Sequence, residues 1–161
     1  MARRKTAQPG KQGAPTVPAT AGLGFYLREA YRAFLREFQA RLAHHDITHA
    51  QWTLLWFLSQ TGSLTPLELS RRAGIQKASA TSVIDALKKR RLIRGDQDSV
   101  DGRKINLHLT PAGMALMQEL IICAAETNAD GRGKFSDKEF ETLLRLLRGV
   151  TANFGNGSGS S

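Results

Sequence analysis

The chain has few of the features that mark secreted or membrane proteins. It contains a single cysteine, Cys123, so no disulfide can form within the chain, and this fits the reducing cytoplasm. No uninterrupted apolar run approaches the ~20 residues that span a bilayer. The basic residues near the start have no apolar segment behind them, as a secretory signal would require. We therefore expect a cytoplasmic protein without a membrane partner.

Patterns typical of catalysis, cofactor binding and metal binding are also missing. There is no Ser/His/Asp arrangement, no phosphate-binding loop and no pair of acids that can be placed in a shared site, so we predict neither an enzyme nor a cofactor. One cluster has the composition of a metal site: His44, His45, Asp46 and His49. Thr48 is expected to start a new helix there, so His45 and His49 need not share a face. A role in the loop or in ligand contact is predicted instead.

The excess of positive charge is concentrated in the middle of the chain. The formal net charge is +9 at pH 7. Residues 63–110 contain ten of the 23 Lys and Arg residues but only five of the 14 acids, and residues 1–22 contain four bases and no acid. A basic segment of this kind favours a surface that binds a polyanion such as nucleic acid. A solvated basic face without a partner is the alternative.

Apolar spacing and capping residues predict six helices. Capping boxes are predicted where Thr48, Thr65 and Ser136 are each followed three residues later by Gln or Glu. Apolar side chains recur at helical spacing in residues 23–43, a stripe wider than one small domain covers easily, and the last helix has a similar stripe. Part of this apolar surface is therefore expected to contact another chain.

The two ends of the chain lack this periodicity. Residues 1–22 are rich in Pro, Gly, Ala and Thr, and residues 155–161 consist of Gly, Asn and Ser. We predict a flexible basic arm at 1–22 and a flexible tail at 155–161.

The centre of the chain has the pattern of a helix-turn-helix. A short helix at 66–73 is followed by Gly74 and by a helix at about 76–90. In the second helix Ala80, Ile84 and Leu87 share one face, so the opposite face points outward, where Gln or Lys can hydrogen-bond to base edges in the major groove. The basic run 88–91 suits phosphates. The predicted DNA-binding residues of this helix are Gln76, Lys77, Ser79, Thr81, Ser82, Lys88 and Lys89.

Alternating apolar residues after a charged loop predict a β-hairpin next. Residues 92–94 can form one strand, and residues 105–109 alternate between apolar and polar, which is typical of a strand with one buried face. Arg103 and Lys104 then lie near the hairpin tip and are also predicted to bind DNA, because an arginine there suits the minor groove. Asp101 is expected to orient a nearby arginine.

The segment DGRKINLHLTPAG at 101–113 resembles the wing of the MarR family of winged-helix transcriptional regulators, in which D-x-R is followed by L-x-L-T-x-x-G. The segments ITHAQWTLLWFL, LTPLELSRRAGI and KASATSVIDALKKRRLI precede it in family order. The resemblance covers about residues 23–154. It implies a single unit, mainly α-helical with a small β-hairpin, in which a winged helix-turn-helix at 48–110 joins dimerisation helices at 23–43 and 111–154.

The resemblance also implies how the protein works. It implies a homodimer, a recognition helix at 76–90, a minor-groove contact by Arg103 and a ligand cleft between the dimerisation helices and the winged helix-turn-helix. Two residues depart from the family pattern, which often has arginine where this chain has Ser82 and glycine where it has Arg91. The first departure weakens the transfer of one base contact. The second puts the helix-ending turn in question, because arginine adopts positive φ poorly.

Aromatic residues are the candidates for the ligand cleft. Tyr31, His49, Trp52 and Trp56 are predicted to contact an effector, with core or interface packing as the alternative. An aromatic or phenolic effector is expected, because the family often uses them. Cys123 lies on an apolar helix and is predicted to be an inert core thiol rather than a redox sensor.

The sequence therefore predicts a ligand-responsive transcriptional regulator, most simply a repressor, that binds a pseudo-palindromic site in double-stranded DNA as a homodimer. Two alternatives stay open. One is a non-specific architectural DNA-binding protein, and the other is a small-molecule-binding protein or enzyme that only shares the scaffold. A repressor should prefer one DNA sequence over random DNA, whereas a non-specific architectural protein should show almost no preference.

Overall fold

The computed structural model describes residues 22–97, 102 and 104–155 as six α-helices and one two-stranded sheet. The helices are α1 (Leu23–Ala43), α2 (His49–Thr61), α3 (Pro66–Ala73), α4 (Lys77–Lys89), α5 (Pro111–Arg132) and α6 (Asp137–Gly155), and the strands are β1 (Ile93–Gln97) and β2 (Ile105–Leu109). This confirms the predicted fold class of six helices and a small hairpin. None of the described helices is long and apolar enough to cross a membrane. Most of the predicted arm and tail lies outside the described residues.

The described residues form two compact units, residues 22–33 and residues 34–155. The first is the N-terminal part of α1, where Phe25 and Tyr26 meet edge to face with ring centroids 5.7 Å apart. Leu23, Tyr26 and Tyr31 are all more than half exposed in it. The second unit contains the rest of α1 and all the other elements.

Helix starts lie where the capping residues predicted them. The Thr48 hydroxyl accepts a hydrogen bond from the Gln51 N–H, and the Gln51 side-chain oxygen accepts one from the Thr48 N–H. This exchange satisfies N–H groups that the helix itself leaves unpaired. The same arrangement is found in the pairs Thr65/Glu68 and Ser136/Glu139.

The core of the second unit is built around α2. Leu54, Leu55 and Leu58 of this helix are almost completely buried. The surrounding elements each contribute apolar side chains to the same cluster: Phe38 and Leu42 of α1, Leu69 of α3, Leu87 of α4, Leu107 of β2, and Met117 and Leu120 of α5. Helix α2 therefore joins the helix-turn-helix and the hairpin to α5.

The hairpin is anchored at its base. Ile93 pairs with Leu109, and Leu107 exchanges two backbone hydrogen bonds with Leu64, of 3.2 and 2.9 Å. Leu107 is fully buried, as the prediction of a strand with one buried face requires, but that prediction is wrong at Ile105, which is 47 % exposed. Ile105 pairs with Gln97 at the far end of the hairpin, beyond the contact with Leu64 that covers the base.

Candidate nucleic-acid interface

Helix α4 presents a polar face because its opposite face is buried in the core. Ala80, Ile84 and Leu87 are 0 %, 5 % and 0 % exposed, and their spacing turns the rest of the helix outward. The residues predicted to bind DNA on this helix are all exposed: Gln76, Lys77, Ser79, Thr81, Ser82, Lys88 and Lys89. Their positions suit a DNA-facing surface, and the contact with DNA stays a prediction.

The turn between α3 and α4 leaves the start of α4 open. Gly74 adopts the left-handed conformation with φ 64°, and the Ile75 N–H donates to the Ser70 carbonyl at 3.1 Å. The N-terminal residue Gln76 makes no side-chain capping hydrogen bond to α4. The first N–H groups of α4 are therefore not capped by this side chain, and such groups favour an anion such as a phosphate.

The residues at 109–113 hold the hairpin against α5. The Thr110 N–H donates to the Leu92 carbonyl at 3.0 Å, and its hydroxyl donates to the Arg91 carbonyl at 2.7 Å. A Cβ atom added to Gly113 would lie only 2.0 Å from the Leu92 carbonyl oxygen. The threonine and glycine of this motif therefore position the hairpin, and the structure gives them no role in reading DNA.

The hairpin carries a charge cluster that sequence reasoning missed. Arg94 Nη2 lies 3.1 Å from Asp96 Oδ2, and His108 Nε2 lies 3.9 Å from the same oxygen. Residues two apart on a strand share a face, and Arg94 pairs with His108. Asp96 therefore offsets part of the positive charge of Arg94. The first strand was predicted only for residues 92–94. If it had been predicted to reach residue 97, the i, i+2 spacing of Arg94 and Asp96 would have indicated that they share a face.

Of the two residues at the hairpin tip that are predicted to bind DNA, the structure describes Lys104. Lys104 is exposed. Hydrogen bonds from Thr65 are the main cause of the lowered pKa of Glu68, and the positive charges of Arg72 and Lys104 lower it further. Arg103 and Asp101 lie outside the described residues. Their predicted roles in the minor groove and in orienting an arginine stay predictions.

The basic residues at the end of α4 differ in their contacts. Lys88 and Lys89 are exposed. Arg90 instead donates from Nη1 to the Asp46 carbonyl at 2.6 Å and from Nη2 to the His45 carbonyl at 3.1 Å. In this structure the Arg90 guanidinium is bound to the turn after α1, and the predicted contact of this basic run with phosphates stays a prediction.

Arg91 occupies the position where glycine is common, and the turn forms nevertheless. Arg91 has φ 58°. Its N–H donates to the Lys88 carbonyl at 2.8 Å, and the Leu92 N–H donates to the Leu87 carbonyl at 3.0 Å. This is a Schellman motif, the usual helix-ending turn, formed with a residue that adopts positive φ at a cost.

Three of the four predicted effector residues come together on α2. His49 stacks on Trp52 and Trp52 on Trp56, with ring centroids 5.9 and 5.8 Å apart, and Phe38 meets Trp52 edge on at 4.8 Å. Burial lowers the pKa of His49, which favours the neutral ring. The buried Trp52 Nε1 has no hydrogen-bond partner among the described residues. Tyr31, the fourth predicted residue, belongs to the first unit and is 55 % exposed.

His45, which follows α1, contacts α5. His45 Nδ1 lies 3.1 Å from Glu119 Oε2, and His45 Nε2 lies 3.5 Å from Cys123 Sγ. Burial raises the pKa of the Cys123 thiol, which fits an inert thiol. These residues line an open cavity of about 310 Å³ together with Arg41, His44, Ile122 and Glu126. Within the described part of the chain, no group of three His, Cys, Asp or Glu residues is placed to hold a metal ion.

Two helices joined by a glycine turn, with an exposed polar face on the second and an antiparallel hairpin after it, define a winged helix-turn-helix protein. Comparisons with known proteins identify the family. The family model described as MarR family matches residues 45–104. The chain is 30 % identical over 129 residues to the HTH-type transcriptional repressor NicR of Pseudomonas putida. This match covers 80 % of this chain and 82 % of NicR. The chain belongs to the MarR family.

Solved structures have the same fold. BpsR of Bordetella bronchiseptica, whose DNA binding is regulated by 6-hydroxynicotinic acid, is 29 % identical with a TM-score of 0.72, covering 80 % of this chain and 98 % of BpsR. A mutant MarR of E. coli, solved with operator DNA, is 22 % identical with a TM-score of 0.72, covering 80 % of this chain and 92 % of MarR. NicR is by name a transcriptional repressor, and FarR of Neisseria gonorrhoeae, 30 % identical over 106 residues, is by name a transcriptional regulator. At the level of the family, this supports a regulator and not an enzyme.

Proposed function

We propose that this protein is a ligand-responsive repressor that binds a pseudo-palindromic DNA operator as a homodimer and is released by a small aromatic effector. The observation that carries the proposal is the exposed polar and basic face of α4, fixed by the buried face behind it and followed by the hairpin. NicR is a repressor by name, and E. coli MarR has been solved with operator DNA. Both similarities support the same activity here.

Helix α4 is the recognition helix in this proposal. Gln76 and Lys77 stand at its start, where they can reach base edges in the major groove. Thr81 and Ser82 are small, so the exposed face can approach the bases closely. Because Ser82 replaces an arginine that is common in the family, base readout depends more on the first turn of the helix. Lys89, near the other end, suits a phosphate, which sets position without reading sequence.

A second copy of the chain is needed, and α6 supplies a surface for it. None of the residues 137–154 of helix α6 is buried. Leu143, Leu144 and Leu147 are between 36 % and 39 % exposed, and Phe154 is 77 % exposed. An apolar helix face of this extent is typical of an interface between chains. A two-fold dimer would place its two α4 helices on half-sites about one helical turn, ~10 bp, apart.

The stacked rings of His49, Trp52 and Trp56 are the proposed effector contact. A flat aromatic ligand can pack on such rings. The Trp52 N–H is buried without a partner, so an oxygen acceptor of the ligand can pair with it once the side chains that cover it move. The DNA binding of BpsR is regulated by an aromatic acid, which supports an effector of this class. Tyr31 stays a predicted contact from the sequence.

Competition binding tests the DNA-binding part of the proposal. The probe is the duplex that the purified protein selects most strongly from a random pool. We expect it to stay bound in an excess of a scrambled duplex of the same length, because base contacts add to the phosphate contacts. Equal affinity for both duplexes would favour the non-specific architectural protein. No binding of either duplex at low salt would contradict DNA binding.

A tryptophan variant tests the effector part. The probe ligand is 6-hydroxynicotinic acid, followed by a panel of phenolic acids. Trp52→Phe keeps an aromatic ring but removes the N–H, so it should bind DNA like the wild type and need about tenfold more ligand for release. Trp56→Phe is the matched control and should change release much less. Equal sensitivity of Trp52→Phe and the wild type would remove this contact from the proposal.

A further inference from the structure

We infer that Arg90 is a positioning residue for DNA binding, which holds the end of the recognition helix α4 on the turn that follows α1. The inference rests on the proposed DNA-binding function of α4. It assigns to this arginine a task different from that of the neighbouring lysines, although all of them belong to one basic run. Three observations carry it: the geometry of the guanidinium, the structure of the turn that it contacts, and the attachment of that turn to α5.

The guanidinium of Arg90 spans two successive backbone carbonyls. It donates to the Asp46 oxygen at 2.6 Å and to the His45 oxygen at 3.1 Å, across 44 and 45 residues of sequence. A planar guanidinium presents its donors in a fixed fork, so one side chain can bind both oxygens at once. The ammonium group of a lysine lacks this fork. The contact therefore depends on arginine and not only on positive charge.

The turn that Arg90 contacts is the end of α1. Asp46 has φ 56°, its N–H donates to the Ala43 carbonyl at 3.1 Å, and the Ile47 N–H donates to the Leu42 carbonyl at 3.1 Å. This is a Schellman motif, like the one that ends α4. Helix C-termini carry partial negative charge and exposed carbonyls. The Arg90 guanidinium therefore places its positive charge on the carbonyls that end α1, which favours that helix end.

The same turn is fixed to α5 and α2. While the His45 carbonyl accepts from Arg90, the His45 ring contacts Glu119 at 3.1 Å and Cys123 at 3.5 Å, both on α5. The Gln39 side chain donates to the Ile47 carbonyl at 3.1 Å and accepts from the His49 N–H at 2.8 Å. The turn is thus held from several sides, and Arg90 relates the end of α4 to it. In the proposed dimer, this contact helps to set the spacing of the two recognition helices.

Binding measurements separate positioning from phosphate contact. Arg90→Ala and Arg90→Lys are compared with the control Lys89→Ala, on the duplex selected by the wild type and on a scrambled duplex, over a series of salt concentrations. We expect Arg90→Ala to bind the selected duplex about tenfold more weakly with an unchanged salt slope and unchanged affinity for the scrambled duplex. Arg90→Lys should lose most of the same affinity. Lys89→Ala should weaken both duplexes and reduce the slope by about 0.9.

Hydrogen exchange without DNA tests the contact itself. The amides of Asp46 and Ile47 should exchange faster in both Arg90 variants and at the wild-type rate in Lys89→Ala. If Arg90→Ala weakened both duplexes alike with a reduced slope, and lysine restored binding, Arg90 would be a phosphate ligand and the inference would be overturned. Unchanged exchange in Arg90→Lys would overturn it as well. A wild-type protein without DNA preference would instead contradict the proposed function, and exchange would still decide the role of Arg90.

Discussion

The contact of Gly113 with the hairpin gives the sharpest prediction for the stability of the fold. Gly113→Ala places a Cβ atom 2.0 Å from the Leu92 carbonyl oxygen and 3.0 Å from its carbon. Both atoms belong to the backbone, so no flexible side chain can move aside. A carbon–oxygen contact needs about 3.3 Å, so the first turn of α5 would have to move by about 1.3 Å relative to Leu92.

Such a movement removes interactions that can be counted. It breaks the hydrogen bonds from Thr110 to the carbonyls of Leu92 and Arg91, each about 1 kcal/mol. It also uncovers part of Leu92, which is 7 % exposed, at about another 1 kcal/mol. Alanine regains about 0.5–1 kcal/mol by its better helix propensity. The free energy of unfolding should therefore fall by about 2 kcal/mol.

Urea unfolding followed by circular dichroism measures this loss, at one fixed protein concentration because self-association affects apparent stability. Gly131→Ala is the matched control on the same helix, since its Cβ would lie 4.0 Å from Phe34 in ordinary contact. The control should match or slightly exceed the wild type. A Gly113→Ala protein as stable as the wild type would show that the close approach of Gly113 to Leu92 is not needed for stability.

Three further predictions concern the helix-ending turn, the DNA contacts and the effect of pH. Arg91→Gly should raise the free energy of unfolding by about 1 kcal/mol, because glycine adopts the φ of 58° without strain; a lower midpoint in urea would contradict this. Arg103→Ala should weaken binding of the selected duplex by about 1–3 kcal/mol in gel shifts while the dimer stays intact, whereas Lys89→Ala should weaken all duplexes alike; unchanged affinity of the Arg103 variant would remove the hairpin from the DNA contacts. Burial lowers the pKa of His49 below 6.5, so its contribution to stability is complete above that pH and is lost as the pH falls through the lowered value. Thermal unfolding at pH 7.5 and 5.5 should show a smaller pH effect in His49→Gln than in the wild type, and equal effects would show that this histidine is not the cause.

Local features of the sequence were sufficient to locate most elements. The capping boxes at Thr48, Thr65 and Ser136 and the left-handed Gly74 mark helix ends by interactions between residues only a few positions apart. Such short-range chemistry can be seen in the sequence before any tertiary contact is known. The exposed face of α4 followed for the same reason, from the spacing of Ala80, Ile84 and Leu87.

Contacts between distant residues could not be predicted in this way. The basic run after Leu87 has the composition of a phosphate-binding group, and only the fold places Arg90 beside the carbonyls of His45 and Asp46. The exposure of Ile105 depends on how far Leu64 covers the hairpin, which alternation alone does not tell. The spacing of apolar residues shows which side chains share a face of a helix or strand. Whether that face is buried depends on the other elements that pack against it.

In the proposed complex, two copies of this chain bind one DNA duplex together through their α4 helices and hairpins. Sedimentation equilibrium of the protein with the selected duplex tests it most directly, because it counts the chains in each complex. We predict two chains for each duplex and a dimer when DNA is absent. A single chain in solution that does not associate with the duplex even at low salt would show that no such complex forms.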